Sequence, residues 1–184
     1  MHAPTVYLAG FDVFRPDAIA QGERLKACCA AQGWLGLYPL DNALPEGLQG
    51  TAAARWICEA NLALIRRADA VLANLNNFRG SEPDSGTAFE VGFAVALGKP
   101  VVGYLDDGRT LREQLGGVRD AEGFSVEDFG LPRNLMLACT TRLVVGGAQE
   151  GLTALGPLLS AASAGTDLIP SGRPAENRRA PAPG

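Results

Sequence analysis

The chain has 184 residues, of which 47% are apolar and 20% charged, and a net charge of −4; this fits one globular domain long enough to bury a core. An acidic balance gives no electrostatic reason to expect nucleic acid or an anionic membrane as partner, and the apolar runs are too short and too interrupted to span a bilayer. Cys28, Cys29, Cys58 and Cys139 lack metal-ligand or redox spacing, and no signal-peptide pattern precedes Thr5, so reduced thiols in a cytoplasmic protein are expected.

Thr5–Ala9 is predicted as a short apolar strand ending at Gly10, a point of close backbone approach. Pro16-Asp17 opens a helix to about Gln32, with Ala18, Leu25 and Cys29 near one face and Gly33 as its stop. Trp34–Tyr38 is a second strand, followed by a loop from Pro39 through Pro45 and Gly50. Thr51 is placed to cap a helix reaching Arg67, with Ile57, Ala60 and Leu64 in its buried stripe. Ala70–Leu75 is a third strand, 76–86 a polar loop, and Pro100–Leu105 a fourth strand before the Asp106-Asp107-Gly108 turn. Leu111–Leu115 and Asn134–Ala138 are short helices, Arg142–Val145 a fifth strand and Glu150–Ala162 a closing helix. A single domain over 1–164 is followed by a Pro-, Gly- and Arg-rich tail over 165–184, read as disordered. Strands alternating with helices give an α/β fold, a mainly parallel sheet with helices on both faces.

The densest information lies in Asp84-Ser85-Gly86-Thr87-Ala88-Phe89-Glu90-Val91-Gly92. Thr87 and Glu90 fit a capping box, Val91–Leu97 supplies the helix body, and Gly98-Lys99-Pro100 ends it. Glu90 is then either only the partner of that cap or a functional carboxylate. In the first turn it would face the positive end of the helix dipole, which lowers its pKa and suits a nucleophile better than a proton donor. Ligands of open parallel sheets sit beyond the carboxyl ends of the strands. Gly10 to Asp12, Asp41-Asn42 and the 76–86 loop leading to Glu90 all converge on that edge, which favours the functional reading.

Absences narrow the chemistry. The one histidine, His2, is terminal, so triads, histidine bases and histidine zinc sites are not expected. No dinucleotide fingerprint follows the first strand, and the Gly92-to-Lys99 spacing departs from a phosphate loop. The expectation is a site without metal or cofactor, in which carboxylates, amides and a phenol carry the reaction.

With these residues assembled, the chain resembles the nucleoside 2-deoxyribosyltransferase family. The matching pieces are Val6-Tyr7-Leu8-Ala9-Gly10, Pro39-Leu40-Asp41-Asn42, 68–75, Asp84 through Pro100, and Asn134-Leu135-Met136. The resemblance implies a flavodoxin-like, doubly wound sheet of five parallel strands. It also implies transfer of 2-deoxyribose between nucleobases by a retaining double displacement, with deoxynucleosides and nucleobases as small-molecule partners. Glu90 falls at the family's nucleophile and Tyr7 at a tyrosine that orients it, although Tyr7 also reads as a packed core aromatic. Gly10 would approach the substrate, and Asp84 falls where the family holds the sugar hydroxyls, or is an ordinary Asx-turn residue before Gly86. A carboxylate there favours free nucleosides over nucleotides, because it repels a 5′-phosphate. Asn61 aligns with an aspartate that handles the leaving base, or is a helix-edge amide bonded to a neighbouring loop. Asn does not readily protonate a base, so the base would take its proton from water or another acid. Ala43 replaces a base-contacting glutamine of some members. Asn134 and Met136 match residues lent to a neighbouring subunit's site, which implies a homo-oligomer; alone, Asn134 reads as a helix cap. Two alternatives share the scaffold: an N-glycosidase acting on nucleosides or nucleoside 5′-monophosphates, and a non-catalytic nucleotide-sensing module.

Overall fold

In the computed structural model, which describes residues 3–163, strands β1 (Thr5–Ala9), β2 (Leu35–Leu37), β3 (Ala70–Asn74), β4 (Val101–Leu105) and β5 (Arg142–Val145) form one parallel sheet in the order β2-β1-β3-β4-β5. Strands β1, β3 and β4 are buried along their whole length, so both faces need cover. Val6, Leu8, Leu72 and Val102 meet Leu25 and Cys29 of α1 (Ala18–Ala31) and Leu152, Leu155 and Leu159 of α6 (Ala148–Ser163) on one face. Tyr7, Ala9, Val71 and Ala73 meet Leu64 and Ile65 of α2 (Gly50–Arg67) and Val91 and Ala94 of α3 (Ser85–Ala96) on the other. The chain runs outward from β1 to β2, then returns past β1 to β3. This reversal opens a crevice at the carboxyl ends of the strands. The expected doubly wound α/β architecture is thus the observed one. The 165–184 segment and His2 lie outside the described residues.

Several boundaries shift for local reasons. Trp34 N–H closes the end of α1 by donating to the Cys29 carbonyl, and Tyr38 N–H donates to Asp41 Oδ2, so β2 keeps only three residues. Single 3-10 turns occupy Phe11–Phe14, for which no element was expected, and Pro39–Asp41, where a loop was expected. Helix α2 starts at Gly50 after Gln49 with no side-chain cap, so Thr51 does not have the expected role. The Thr87–Glu90 capping box does not form either. Asp84 caps α3, its Oδ2 accepting from Thr87 N–H at 2.9 Å and from Thr87 Oγ1 at 3.0 Å. An aspartate just before the helix competes better for those orphan donors than a threonine already inside it.

The long connection after β4 contains α4 (Leu111–Leu115) and leads to α5 (Leu135–Thr140). It is pinned by Arg133, only 1% exposed. Its Nε donates to the Leu75 carbonyl at 2.7 Å, and its Nη1 donates to Gln114 Oε1 at 2.8 Å and to the Pro132 carbonyl at 2.7 Å. Burial pushes the guanidinium pKa down, yet three acceptors hold its protons. Arg133→Met strands those acceptors and is expected to cost about 2–4 kcal/mol in urea unfolding, while Arg109→Met, which breaks only an exposed pair with Asp107, is expected to cost under about 1 kcal/mol. Equal losses in the two variants would contradict the anchoring role.

Candidate active site

A cavity of about 370 Å³ opens where β1 and β2 end, within the size range of small-molecule sites (roughly 300–1,000 Å³). The segment after β1 gives it Gly10, Val13 and Phe14, and the segment after β2 gives Pro39, Leu40, Asn42 and Leu44. Helix α2 contributes Trp56, Ile57, Ala60 and Asn61, and the start of α3 contributes Asp84, Gly86, Thr87 and Glu90. The cavity therefore has an ionisable part from α3 and a largely apolar part from α2 and the loop after β2.

Tyr7 and Glu90 are its central pair. Tyr7 is 0% exposed, packed among Ala9, Leu64 and Val91, and its hydroxyl donates to Glu90 Oε1 at 2.6 Å. The two readings of Tyr7, core residue and partner of Glu90, hold at once, because the ring fills the core while its hydroxyl reaches the cavity wall. Burial and the Glu90 charge raise the phenol pKa, so it remains the donor.

For Glu90 the expected electrostatics are overturned. With Asp84 as cap, Glu90 lies beyond the first turn of α3, where the helix dipole has faded. Its pKa is raised to about 7: burial is the dominant cause, the Asp84 charge adds to it, and the Tyr7 hydrogen bond opposes it. Near neutral pH the carboxyl is therefore divided between its acid and its ionised form. No described residue donates to Oε2, which leaves one oxygen held and the other available.

Gly10 sits at the cavity edge because a Cβ there would lie 2.8 Å from Asn74 Cβ and 2.9 Å from Asp12 Oδ2. Those two side chains form a buried brace beneath it. Asn74 Nδ2 donates to Asp12 Oδ2 at 2.8 Å, Gln21 Nε2 donates to Asp12 Oδ1 at 3.1 Å, and Asn76 Nδ2 donates to Asn74 Oδ1 at 2.9 Å. Asp84 both caps α3 and faces the cavity, so its Asx-type and site readings coexist. Asn61 lines the cavity, but its Oδ1 is buried without a partner, so the expected bond to a neighbouring loop is absent at that atom.

Within one chain the structure brings Tyr7, Glu90, Gly10, Asp84 and Asn61 together and leaves Asn134 and Met136 out. Asn134 caps α5 through Oδ1, which accepts from Met136 N–H at 3.0 Å, and its Nδ2 donates to Glu127; Met136 is 66% exposed. The apolar wall of Phe14, Leu44, Trp56 and Ile57 escaped the sequence reading. Ile57 falls on the stripe that predicts burial, yet it is 45% exposed because that part of α2 faces the cavity rather than the sheet. Among the described residues no group of His, Cys, Asp or Glu could hold a metal ion, and no helix is long and apolar enough to cross a membrane.

A phenol-held carboxylate in a cavity at the switch point of a parallel sheet defines a small-molecule enzyme site. Comparison with known proteins specifies which. The sequence model of the nucleoside 2-deoxyribosyltransferase family matches residues 6–136, and the chain belongs to that family. The structure is similar to the 2-desoxiribosyltransferase from Leishmania mexicana, with TM-score 0.71 and 37% identity over 85% of this chain and 97% of that one. An uncharacterized protein of Schizosaccharomyces pombe is 33% identical over 157 residues, 72% of this chain and 74% of the yeast protein. A 5-hydroxymethyl-dUMP N-hydrolase of Mus musculus is 34% identical over 87 residues, which span 46% of this chain and 47% of the mouse protein. The activity supported is thus deoxyribosyl transfer or the related N-glycoside hydrolysis.

The raised Glu90 pKa has a thermodynamic consequence. The folded value of about 7 lies above the ordinary 4.5, so the folded state binds the extra proton. The stability associated with that proton is complete below about 4.5 and is lost as pH rises through 7. Glu90→Gln does not ionise and escapes this loss. Its stability relative to the unmodified protein is expected to rise by roughly 2–3 kcal/mol between pH 4 and pH 8, measured by urea unfolding at each pH. A difference that does not vary with pH would contradict the burial of this carboxyl.

Proposed function

We propose that the protein transfers 2-deoxyribose between nucleobases by double displacement through Glu90. The observation that carries this reading is the 2.6 Å hydrogen bond from Tyr7 to Glu90 Oε1 at a cavity wall, which leaves Oε2 to act. Ionised Oε2 attacks C1′ of the deoxynucleoside. The C1′–N bond breaks and its electron pair leaves with the base, which then takes up a proton from water. The sugar is held as an ester of Glu90 until a second base attacks C1′ from the vacated face, gives up its proton, and releases the carboxylate. A poorly solvated carboxylate beside an oxocarbenium-like centre stabilises the developing positive charge more than one in water would. Asp84 hydrogen-bonds the sugar hydroxyls, and Gly10 gives the sugar room to approach the backbone.

The charge of the cavity supports free nucleosides as substrates. Its lining carries two carboxylates, Asp84 and Glu90, and neither Lys nor Arg, so a 5′-phosphate meets like charge with no counter-ion in the lining. Hydrolysis, in which water resolves the ester, is the second reading, favoured by the partial match to the mouse N-hydrolase. Incubation with deoxyadenosine and cytosine is expected to yield deoxycytidine, whereas free deoxyribose as the sole sugar product would decide for hydrolysis. A 2′-fluoro-2′-deoxynucleoside is expected to leave a covalent adduct on Glu90 in peptide mass spectra. Glu90→Ala is expected to lower turnover by about 10³-fold or more. Unchanged turnover in that variant would remove the mechanism.

Asn134 and exposed Met136 complete the cavity of a neighbouring subunit in this reading, so the working unit is an oligomer. Glu90→Gln and Asn134→Ala chains are each expected to be nearly inactive. When mixed, exchanged dimers regain about a quarter of full activity, since half the dimers carry both defects in opposite subunits and each keeps one intact site. No recovery on mixing would contradict a shared site.

A further inference from the structure

The turn after β1 and the loop after β3 meet through flat groups alone. Phe78 stacks on Phe11 with ring centroids 5.0 Å apart and on Phe14 with centroids 5.4 Å apart. The Arg79 guanidinium lies over both Phe78, 4.6 Å from its centroid, and Phe14, 5.2 Å from its centroid. Among the described residues no hydrogen bond or ion pair joins 77–83 to 11–15. The loop is instead fastened at its two ends. Asn76 Nδ2 donates to Asn74 Oδ1 at 2.9 Å, Asp106 N–H donates to Asn76 Oδ1 at 2.7 Å, and Asp84 caps α3. Arg79 has φ 54 and is the one non-glycine residue of positive φ among the described residues. Side chains adopt that conformation where their surroundings impose it, and here it goes with a guanidinium laid on two rings.

Phe14 connects this contact to the site. It belongs to the cavity lining, whereas Phe78 and Arg79 do not. It is 56% exposed and stands outside both hydrophobic clusters of the core, so the stack, and not the core, orders its ring.

We propose that Arg79 is a positioning residue that acts through Phe14: its clasp on the ring keeps the cavity wall closed against water and so sets the division between transfer and hydrolysis. This inference rests on the double-displacement reading of Glu90. The ester of that mechanism has two competing acceptors. A base nitrogen attacks C1′, the C1′–Oε2 bond breaks with its electron pair returning to Glu90, and the base loses a proton to solvent. Water attacks the same carbon, breaks the same bond and loses a proton in the same way, but gives free deoxyribose. Both routes use the same carboxylate, so chemistry at Glu90 does not choose between them. Access does, because a closed cavity excludes water from a reactive intermediate. A wall held by stacking without a hydrogen bond is able to part for a base and close again, as the loops of gated sites do.

The test supplies the full chain with deoxyadenosine and cytosine and reads the ratio of deoxycytidine to free deoxyribose in initial rates. Arg79→Gly removes the guanidinium while keeping a residue at ease with positive φ. It is expected to lower the ratio about fivefold, the weight of one such cation–π contact, with donor consumption changed by less than about threefold. Phe78→Leu, which removes the stacked ring instead, is expected to lower the ratio to a similar extent. Adding Arg79→Gly to Phe14→Leu is expected to lower it no further, because the ring through which Arg79 acts is already gone. A ratio unchanged in both Arg79→Gly and Phe78→Leu, or a full further loss in the double variant, would overturn the clasp and leave the transfer reading standing. Absence of deoxycytidine with the unmodified chain would overturn both.

Discussion

The hydrogen bond between Tyr7 and Glu90 joins the middle of the sheet to the helix that bears the carboxylate, and the site depends on both ends being immobile. Tyr7 pairs with Leu37 on one side and with Val71 on the other, so the backbone under the phenol is fixed by two neighbouring strands. Glu90 is fixed from the other direction, since Val91 and Ala94 of the same helix are buried against that face of the sheet. Donor and acceptor are thus placed by separate layers of packing, and neither side chain needs to search for the other. This arrangement supplies the preorganisation on which the proposed nucleophile relies.

Burial exacts a cost that the proposed chemistry exploits. Removing a carboxyl from water raises its pKa to about 7, against the pull of the Tyr7 hydroxyl. An ion held near its titration point is less stabilised by solvent than a surface carboxylate, and in the proposed mechanism a cationic sugar approaching it restores the missing stabilisation. Asp84 links the two halves of this device. It caps the helix that carries Glu90, adds a charge that raises the Glu90 pKa further, and presents an edge to the cavity. The Asp12–Asn74 hydrogen bond ties the segment after β1 to the end of β3 beneath Gly10.

Most of the fold was legible because its signals are local and repetitive. The five strands and six helices among the described residues fall within a few residues of where apolar runs, Gly stops and Pro breaks place them. Convergence of Gly10, Asn42 and Asp84 on one edge followed from the topology of a parallel sheet. What local pattern could not supply was any quantity set by the surroundings. The Thr87–Glu90 spacing satisfied a capping rule, yet Asp84 outcompeted Thr87, and moving the cap back placed Glu90 outside the reach of the dipole. The direction of its pKa shift reversed because desolvation comes from residues remote in the chain. Ile57 misled for a related reason: a helical stripe shows which side is apolar but not whether sheet or cavity faces it. Arg133 carried no sequence signal as an anchor, because its acceptors lie on segments distant from it or are backbone carbonyls.

The central claim is that a single carboxyl, held by a phenol and partly withdrawn from water, titrates near neutrality. It is tested most directly by carbon NMR of the protein labelled at its glutamate side-chain carboxyls, with the Glu90 signal assigned by its loss in Glu90→Gln. The account expects a midpoint near 7 for Glu90, and a still higher midpoint in Tyr7→Phe, because the phenol is the group that favours ionisation. A midpoint close to the ordinary 4.5, unmoved by removal of the hydroxyl, would contradict it.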